Sequence, residues 1–269
     1  MYPHVSHRED RPILDVSHMT VRYDGRTALE DLTFHLHPGE AVAVVGPNGA
    51  GKSTLFKVVA GVLPPTAGEV SVFGSRPHMH VCIAYTPQRA QVDWNFPVTV
   101  RDVVMMGRSA KLGPFAWPKK ADWENVQRAL RLVELTEMAD VRISELSGGQ
   151  QQRMFIGRAL AQEAELMLLD EPLSGLDLPS QESILALLQR LKDRGVTLMV
   201  ATHDLEQAAG RFSRIMLLNR QIIAYGAPDV VLVEANLVRA YGGRLQGIAG
   251  ERFLSAGGHE ELPGHGHRD

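Results

Sequence analysis

Residues 12–241 read as a single α/β domain built on a mostly parallel sheet, and three observations predict it. Apolar runs rich in Val, Ile and Leu alternate with stretches of helical period, as strands joined by crossover helices do. Three of the runs, Ala41 to Val45, Leu166 to Leu169 and Val196 to Ala201, are almost continuously apolar, as strands covered on both faces are. Residues able to carry chemistry follow these runs directly, where ligands bind in such sheets.

The elements follow in order. Residues 1–11 form a polar, His-bearing leader expected to be flexible. A strand runs from Ile13 to Tyr23 and stops at Asp24-Gly25. A second, Leu32 to Leu36, stops at Pro38-Gly39. After the strand Ala41 to Val45, the residues Leu55, Val58 and Val59 mark one face of a helix, which Gly61 and Pro64-Pro65 close. Glu69 to Phe73 and Val81 to Thr86 are short strands. Residues 89–163 change to helical periodicity, broken by Pro97, Pro114 and Pro118, and read as a helical subdomain. There Trp123, Val126, Leu130 and Val133 share one face, and Ser147 with Gln150 fits a capping box. After Leu166 to Leu169, Pro179 suits a first helical turn, and Ile184, Leu187, Leu188 and Leu191 line the helix that Gly195 ends. Val196 to Ala201 is followed by a helix start at Asp204 with Gln207. Arg214 to Tyr225 reads as two strands and Ala235 to Tyr241 as a last helix. Residues 242–269 are a polar, glycine-rich tail expected to be poorly ordered.

Composition narrows the function classes. At 269 residues and 44% hydrophobic, the chain can bury a sizeable core. A net charge of −3 makes no electrostatic case for nucleic acid. The single cysteine, Cys82, excludes an intrachain disulfide and reads as a buried thiol. The leader lacks a secretory apolar core, and no apolar run approaches the ~20 residues of a membrane span. If the protein works at a membrane, another chain is expected to cross it.

The stretch Gly46-Pro47-Asn48-Gly49-Ala50-Gly51-Lys52-Ser53-Thr54 fits the phosphate-loop pattern G-x-x-x-x-G-K-[ST] between a strand and a helix. Its glycines let successive backbone N–H groups point at one centre, and the new helix adds the positive end of its dipole. Lys52 supplies a mobile charge for β- and γ-phosphates, and the Ser53 hydroxyl is a ligand for Mg²⁺. Asp170 and Glu171 end a strand side by side. Alternation predicts opposite faces and different jobs for them.

One phosphate loop does not say which machine it serves. The stretch Leu146-Ser147-Gly148-Gly149-Gln150-Gln151-Gln152-Arg153 resembles the signature motif of ATP-binding cassette (ABC) ATPases, and the resemblance extends from about Ile13 to Tyr241. It implies a P-loop NTPase cassette with a RecA-like core sheet, an N-terminal antiparallel β part and a helical subdomain. Tyr23 resembles the aromatic that stacks on adenine, although it is also suited simply to closing a strand. Gln88 resembles the Q-loop glutamine, a further candidate ligand of the metal; by itself it would be a solvated loop residue. Leu168-Leu169-Asp170-Glu171 resembles Walker B, with Asp170 holding Mg²⁺ and Glu171 acting as general base. Ser174-Gly175-Leu176-Asp177 resembles the D-loop. His203 resembles the switch histidine that senses the γ-phosphate, with a helix-capping role as its plainer reading. Ser147 both caps a helix and offers an anion site; with Gly148, Gly149, Gln150 and Asp177 it is implied to face ATP held by a second copy of the chain.

The resemblance implies ATP and Mg²⁺ as cofactors, and as partners a separate membrane permease, a second copy in a homodimer and, indirectly, a solute-capture protein. The place implied is peripheral, on the cytoplasmic face of the membrane. The stretch from Gln91 to Arg108 resembles the ATPases of manganese, zinc and iron importers, with siderophore and cobalamin importers as neighbours. Trp94 and Phe96 are expected either to anchor a partner helix or to pack into their own subdomain. A soluble cofactor-assembly ATPase is the rival class, and a single cassette that lacks a coiled-coil insertion and a basic charge counts against the other soluble ones. His259, His265 and His267, with Glu260 and Glu261, form a tract with either a divalent-ion or a merely solvated reading.

Overall fold

The computed structural model describes residues 12–77, 82–88, 92–112 and 116–242. Residues 1–11, 78–81 (with the expected strand start at Val81), 89–91, 113–115 and 243–269, the His-bearing tract included, lie outside the described residues. In chain order the strands and helices are β1 Leu14–Tyr23, β2 Arg26–Leu36, β3 Ala41–Val45, α1 Lys52–Val59, β4 Ala67–Val72 and β5 Ile83–Thr86. Then come α2 Val100–Met106, α3 Ser109–Leu112, α4 Lys120–Leu132, α5 Gly148–Ala161 and β6 Leu166–Asp170. The remainder is α6 Leu178–Lys192, β7 Thr197–Thr202, α7 Leu205–Arg211, β8 Arg214–Asn219, β9 Gln221–Gly226, α8 Pro228–Val231 and α9 Glu234–Tyr241.

Among the described residues there are two sheets. Strands β2-β1-β4 make an antiparallel sheet, and β5-β6-β7-β3-β8-β9 make a larger one that is parallel except at β8–β9. The larger sheet is the middle layer, and the alternation of its side chains shows why. Val42, Val44, Leu168, Met199 and Met216 face α1 and the antiparallel sheet. Ala43, Val45, Leu169, Val200 and Leu217 face the other core, which α5, α6 and the helical subdomain complete. Every residue of β3, β6 and β7 is buried, as continuous apolar runs in a parallel sheet require. Helix α1 lies between the two sheets with Leu55, Phe56, Val58 and Val59 buried.

The expected antiparallel part, parallel core and helical subdomain are all present. Several expectations need correction. Strand β2 begins at Arg26, six residues before Leu32, because its register with β1 shifts at bulges that hide the alternation. The short helix α8 was not expected. Val126, Leu130 and Val133 are buried, but Trp123 on the same predicted face is 39% exposed. The residue before it, Asp122, turns inward to meet Arg108. Cys82 is half-buried just ahead of β5, and burial raises its thiol pKa to about 11. No helix among the described residues is long and apolar enough to cross a membrane.

Candidate nucleotide site

The parallel strands β3, β5, β6 and β7 deliver their carboxyl ends to one edge. Val45 pairs with Thr202, Asp170 with Ala201 and Thr86 with Leu169, so the phosphate loop, Asp170-Glu171, His203 and Gln88 leave the sheet together. Gly46 is glycine for space: a Cβ there would lie 2.0 Å from the Leu218 carbonyl oxygen of β8. The loop is tied down by backbone bonds, with Arg220 N–H donating to the Ala50 carbonyl (2.8 Å) and Glu30 N–H to the Arg220 carbonyl (2.8 Å). No side chain caps α1, which leaves its amino end to an anion. Asn48 and Gly49 are exposed at the loop's outer turn, and Ser53 and Thr54 are half-buried in the first turn of α1.

Lys52 is buried, and its ammonium folds back on its own loop. Nζ donates to the carbonyls of Gly46 (2.7 Å) and Pro47 (3.3 Å), and Glu171 Oε1 lies 4.0 Å away. Burial lowers the pKa of this amine, while the charges of Glu171 and Asp170 oppose the shift.

Asp170 is 2% exposed. The Tyr85 hydroxyl donates to Oδ2 (3.4 Å), and Ser53 donates a side-chain hydrogen bond to the carboxylate. Burial raises the pKa of Asp170, against the pull of those donors and of Lys52, with the Glu171 charge adding to the rise. Its Oδ1 is buried with no hydrogen-bond partner. A buried, orphaned carboxylate oxygen beside a hydroxyl suits a hard divalent cation. Among the described residues no three His, Cys, Asp or Glu gather as a metal site. Asp170 and Ser53 fit Mg²⁺ of the kind that takes one or two protein ligands and completes its shell with phosphate oxygens and water.

The opposite-face expectation for Asp170 and Glu171 fails. It assumes extended backbone at both residues, but Glu171 has φ 53° and has left the strand. Both carboxylates act on Lys52, yet their partners differ. Glu171 Oε2 accepts a hydrogen bond from His203 Nδ1–H at 2.7 Å, and Glu171 N–H donates to the Ala201 carbonyl (3.1 Å). The Glu171 carboxylate is 11% exposed while the His203 ring is 62% exposed. His203 therefore holds Glu171 in place from the solvent side.

A second group of candidates forms its own surface. Ser147 Oγ accepts from Gln150 N–H (3.3 Å) and Gln150 Oε1 from Ser147 N–H (2.8 Å), the expected capping box. Asp177 Oδ1 accepts from Ser180 N–H (2.7 Å) and caps α6. The two helix starts meet: a Cβ on Gly149, behind Gly148, would lie 2.8 Å from Ser180 Oγ. Ser147, Ser174, Gly175 and Asp177 are exposed. Ser174 N–H donates to the Glu171 carbonyl (3.2 Å), but among the described residues no hydrogen bond or ion pair joins Ser147 or Asp177 to the Lys52 group. Tyr23 is 41% exposed at the end of β1, and Gln88 is half-buried just past β5. Trp94 packs edge-on against Phe155 in its own subdomain (ring centroids 5.7 Å apart), as one of the two expectations had it, and Phe96 is 56% exposed. Sequence reasoning missed Tyr85. Its signal was a phenol in an otherwise apolar strand, which needs a polar partner when buried.

Residues 29–174 match the family described as ABC transporter. The chain is 41% identical to the manganese transport system ATP-binding protein MntB of Bacillus subtilis, over 92% of this chain and 99% of that protein. It is 45% identical to the zinc transport system ATP-binding protein TroB of Treponema pallidum, over 86% of this chain and 88% of that one. Among solved structures, the ADP conformation of MJ1267, an ATP-binding cassette of an ABC transporter, superposes with a TM-score of 0.76 at 25% identity and covers 87% of this chain and 99% of its own. With the loop, the paired carboxylates and the histidine on one sheet edge, these likenesses show that the chain belongs to the ABC transporter family, as an ATP-binding, ATP-hydrolysing cassette.

Proposed function

We propose that this chain hydrolyses ATP to power import of a divalent metal ion, manganese, zinc or iron, through a separate permease. The single observation that carries the catalytic half is the convergence of Lys52, Ser53, Asp170, Glu171 and His203 at one sheet edge. The names of the manganese and zinc relatives support the choice of cargo. In this reading Lys52 leaves the carbonyls of Gly46 and Pro47 for the β- and γ-phosphates, and Tyr23 stacks on adenine. Ser53 and Asp170, with Gln88 arriving from β5, hold Mg²⁺, which offsets charge on the phosphate oxygens. Glu171 accepts the proton of the attacking water, and His203 keeps that carboxylate aimed. Two copies close head to tail, so that Ser147, Gly149 and Asp177 of each complete the site of the other. The working place is the cytoplasmic face of the membrane, beside the permease, with a capture protein on the far side.

The test is reconstitution with the permease in vesicles holding a metal-sensitive dye. ATP is expected to drive Mn²⁺ or Zn²⁺ flux with the parent chain and not with Glu171→Gln. ATP turnover that moves none of manganese, zinc and iron would rule out the cargo assignment.

A further inference from the structure

Tyr85 lies on β5, the edge strand of the larger sheet, opposite Leu168 of β6. Side chains alternate along a strand, so Tyr85, Leu168 and Asp170 share the face that packs toward α1. The phenol leans one pleat forward and its hydroxyl donates to Asp170 Oδ2. That bond and the one from Ser53 account for the donors given to this carboxylate, and Oδ1 remains buried without a partner. The Tyr85 bond restrains rotation of the carboxylate about its Cβ–Cγ bond while Oδ1 stays bare. We propose that Tyr85 is a positioning residue for the divalent cation that accompanies ATP: by holding Oδ2 it presents Oδ1 to that cation. The inference rests on the reading of Asp170 as a cation ligand.

The location adds a consequence. Three residues beyond Tyr85 the same strand delivers Gln88 to the sheet edge. The Tyr85 donor to Asp170 and Gln88 thus come from one segment, Tyr85 within β5 and Gln88 two residues past its end.

The variant Tyr85→Phe deletes the hydroxyl and keeps the ring's packing. Binding of a fluorescent ATP analogue is measured in EDTA and again in saturating Mg²⁺, for the parent, Tyr85→Phe and Asp170→Asn. The ratio of the two affinities reads the coupling between nucleotide and cation without any turnover. For Tyr85→Phe the affinity in EDTA is expected to stay within about twofold of the parent, while the gain from Mg²⁺ shrinks by about three- to tenfold, as befits the loss of one long hydrogen bond. Asp170→Asn is expected to lose most of that gain. If Tyr85→Phe keeps the full gain while Asp170→Asn loses it, the role of Tyr85 is overturned and the Asp170 reading stands. If affinity falls equally with and without Mg²⁺, the hydroxyl is merely structural and the proposal is overturned. If Asp170→Asn keeps the gain, the cation reading fails and this inference fails with it.

Discussion

Glu171 has a left-handed backbone, a conformation that costs a residue with a side chain on the order of 1 kcal/mol or more. Its carboxylate is held by His203 and lies within reach of Lys52. The strain is thus offset by a bond that holds Oε2 to His203 and leaves Oε1 toward the phosphate-loop lysine. Under the proposed roles, Glu171→Gln lowers turnover by ~10²–10⁴ while ATP binding persists, as loss of a general base does. Single-turnover and binding measurements on the same sample check this, and ordinary hydrolysis by that variant removes the role. Lys52→Ala is expected to lose ATP binding as well as turnover. A different carboxylate, Glu40, contributes to acid stability. Glu40 accepts from His37 N–H (2.8 Å) and pairs with Arg214 (2.7 Å); burial works to raise its pKa, but these partners hold it below the ordinary carboxylate value. A depressed carboxylate contributes stability that is present above its unfolded pKa, near 4.3, and lost as pH falls through the lower folded value. The parent is therefore expected to lose more melting temperature than Glu40→Gln over that acid window. Parallel losses in the two proteins would contradict the assignment.

At the scale of elements, the helical subdomain is fastened by one buried cation. Arg108, between α2 and α3, donates Nε to Asp122 Oδ1 (3.1 Å) at the start of α4 and Nη1 to the Ala161 carbonyl (3.0 Å) at the end of α5. It also reaches Glu163 (2.9 Å). Arg108 and Asp122 are both buried, so removing the guanidinium leaves a carboxylate inside with its charge unpaired and the Lys119 N–H (2.9 Å) as its remaining donor among the described residues. Arg108→Ala is expected to cost about 3–5 kcal/mol. Hydrogen exchange should speed up first in α4 and at the end of α5, while the larger sheet stays protected. Unchanged exchange in α4 would show that the network is not what holds it. This fastening also marks the limit of the sequence. The helical period located α4 but put Trp123 inward, because the buried place of Asp122 is decided by an arginine outside that helix. The residues of the nucleotide site were legible for the opposite reason. Lys52, Ser53, Asp170, Glu171 and His203 each follow an apolar run within a fixed pattern, so local sequence states both their element and their end of it. Tyr85, the bare Oδ1 of Asp170 and the close approach of Gly149 to Ser180 depend on segments far apart in the chain, and no local pattern carries them.

Across the whole molecule, the residues assigned to ATP form two groups on separate surfaces. One gathers at the carboxyl edge of the larger sheet; the other is the joined starts of α5 and α6, with Ser147 and Asp177 exposed. Ser147 and Asp177, which among the described residues have no hydrogen bond or ion pair to the first group, are accounted for if they serve another copy. Two-fold closure then puts each group opposite its complement, since an interface of this symmetry uses the same two patches twice. The arrangement has a consequence that no single-chain account shares. Ser147→Arg blocks the contact that a chain gives to its twin, and Glu171→Gln disables the site that it keeps. Each variant alone makes a dimer with two dead sites. A mixed dimer holds one site defective on both counts and one with Glu171 and Ser147 both intact. Equal mixing of the two inactive proteins is therefore expected to restore ATP turnover, to about a quarter of the parent rate per chain if subunits pair at random and sites act independently. The restored rate should rise and saturate with total protein as dimers form. A mixture as inactive as its parts would mean that Ser147 acts on the ATP of its own chain, and the head-to-tail dimer would have to be abandoned.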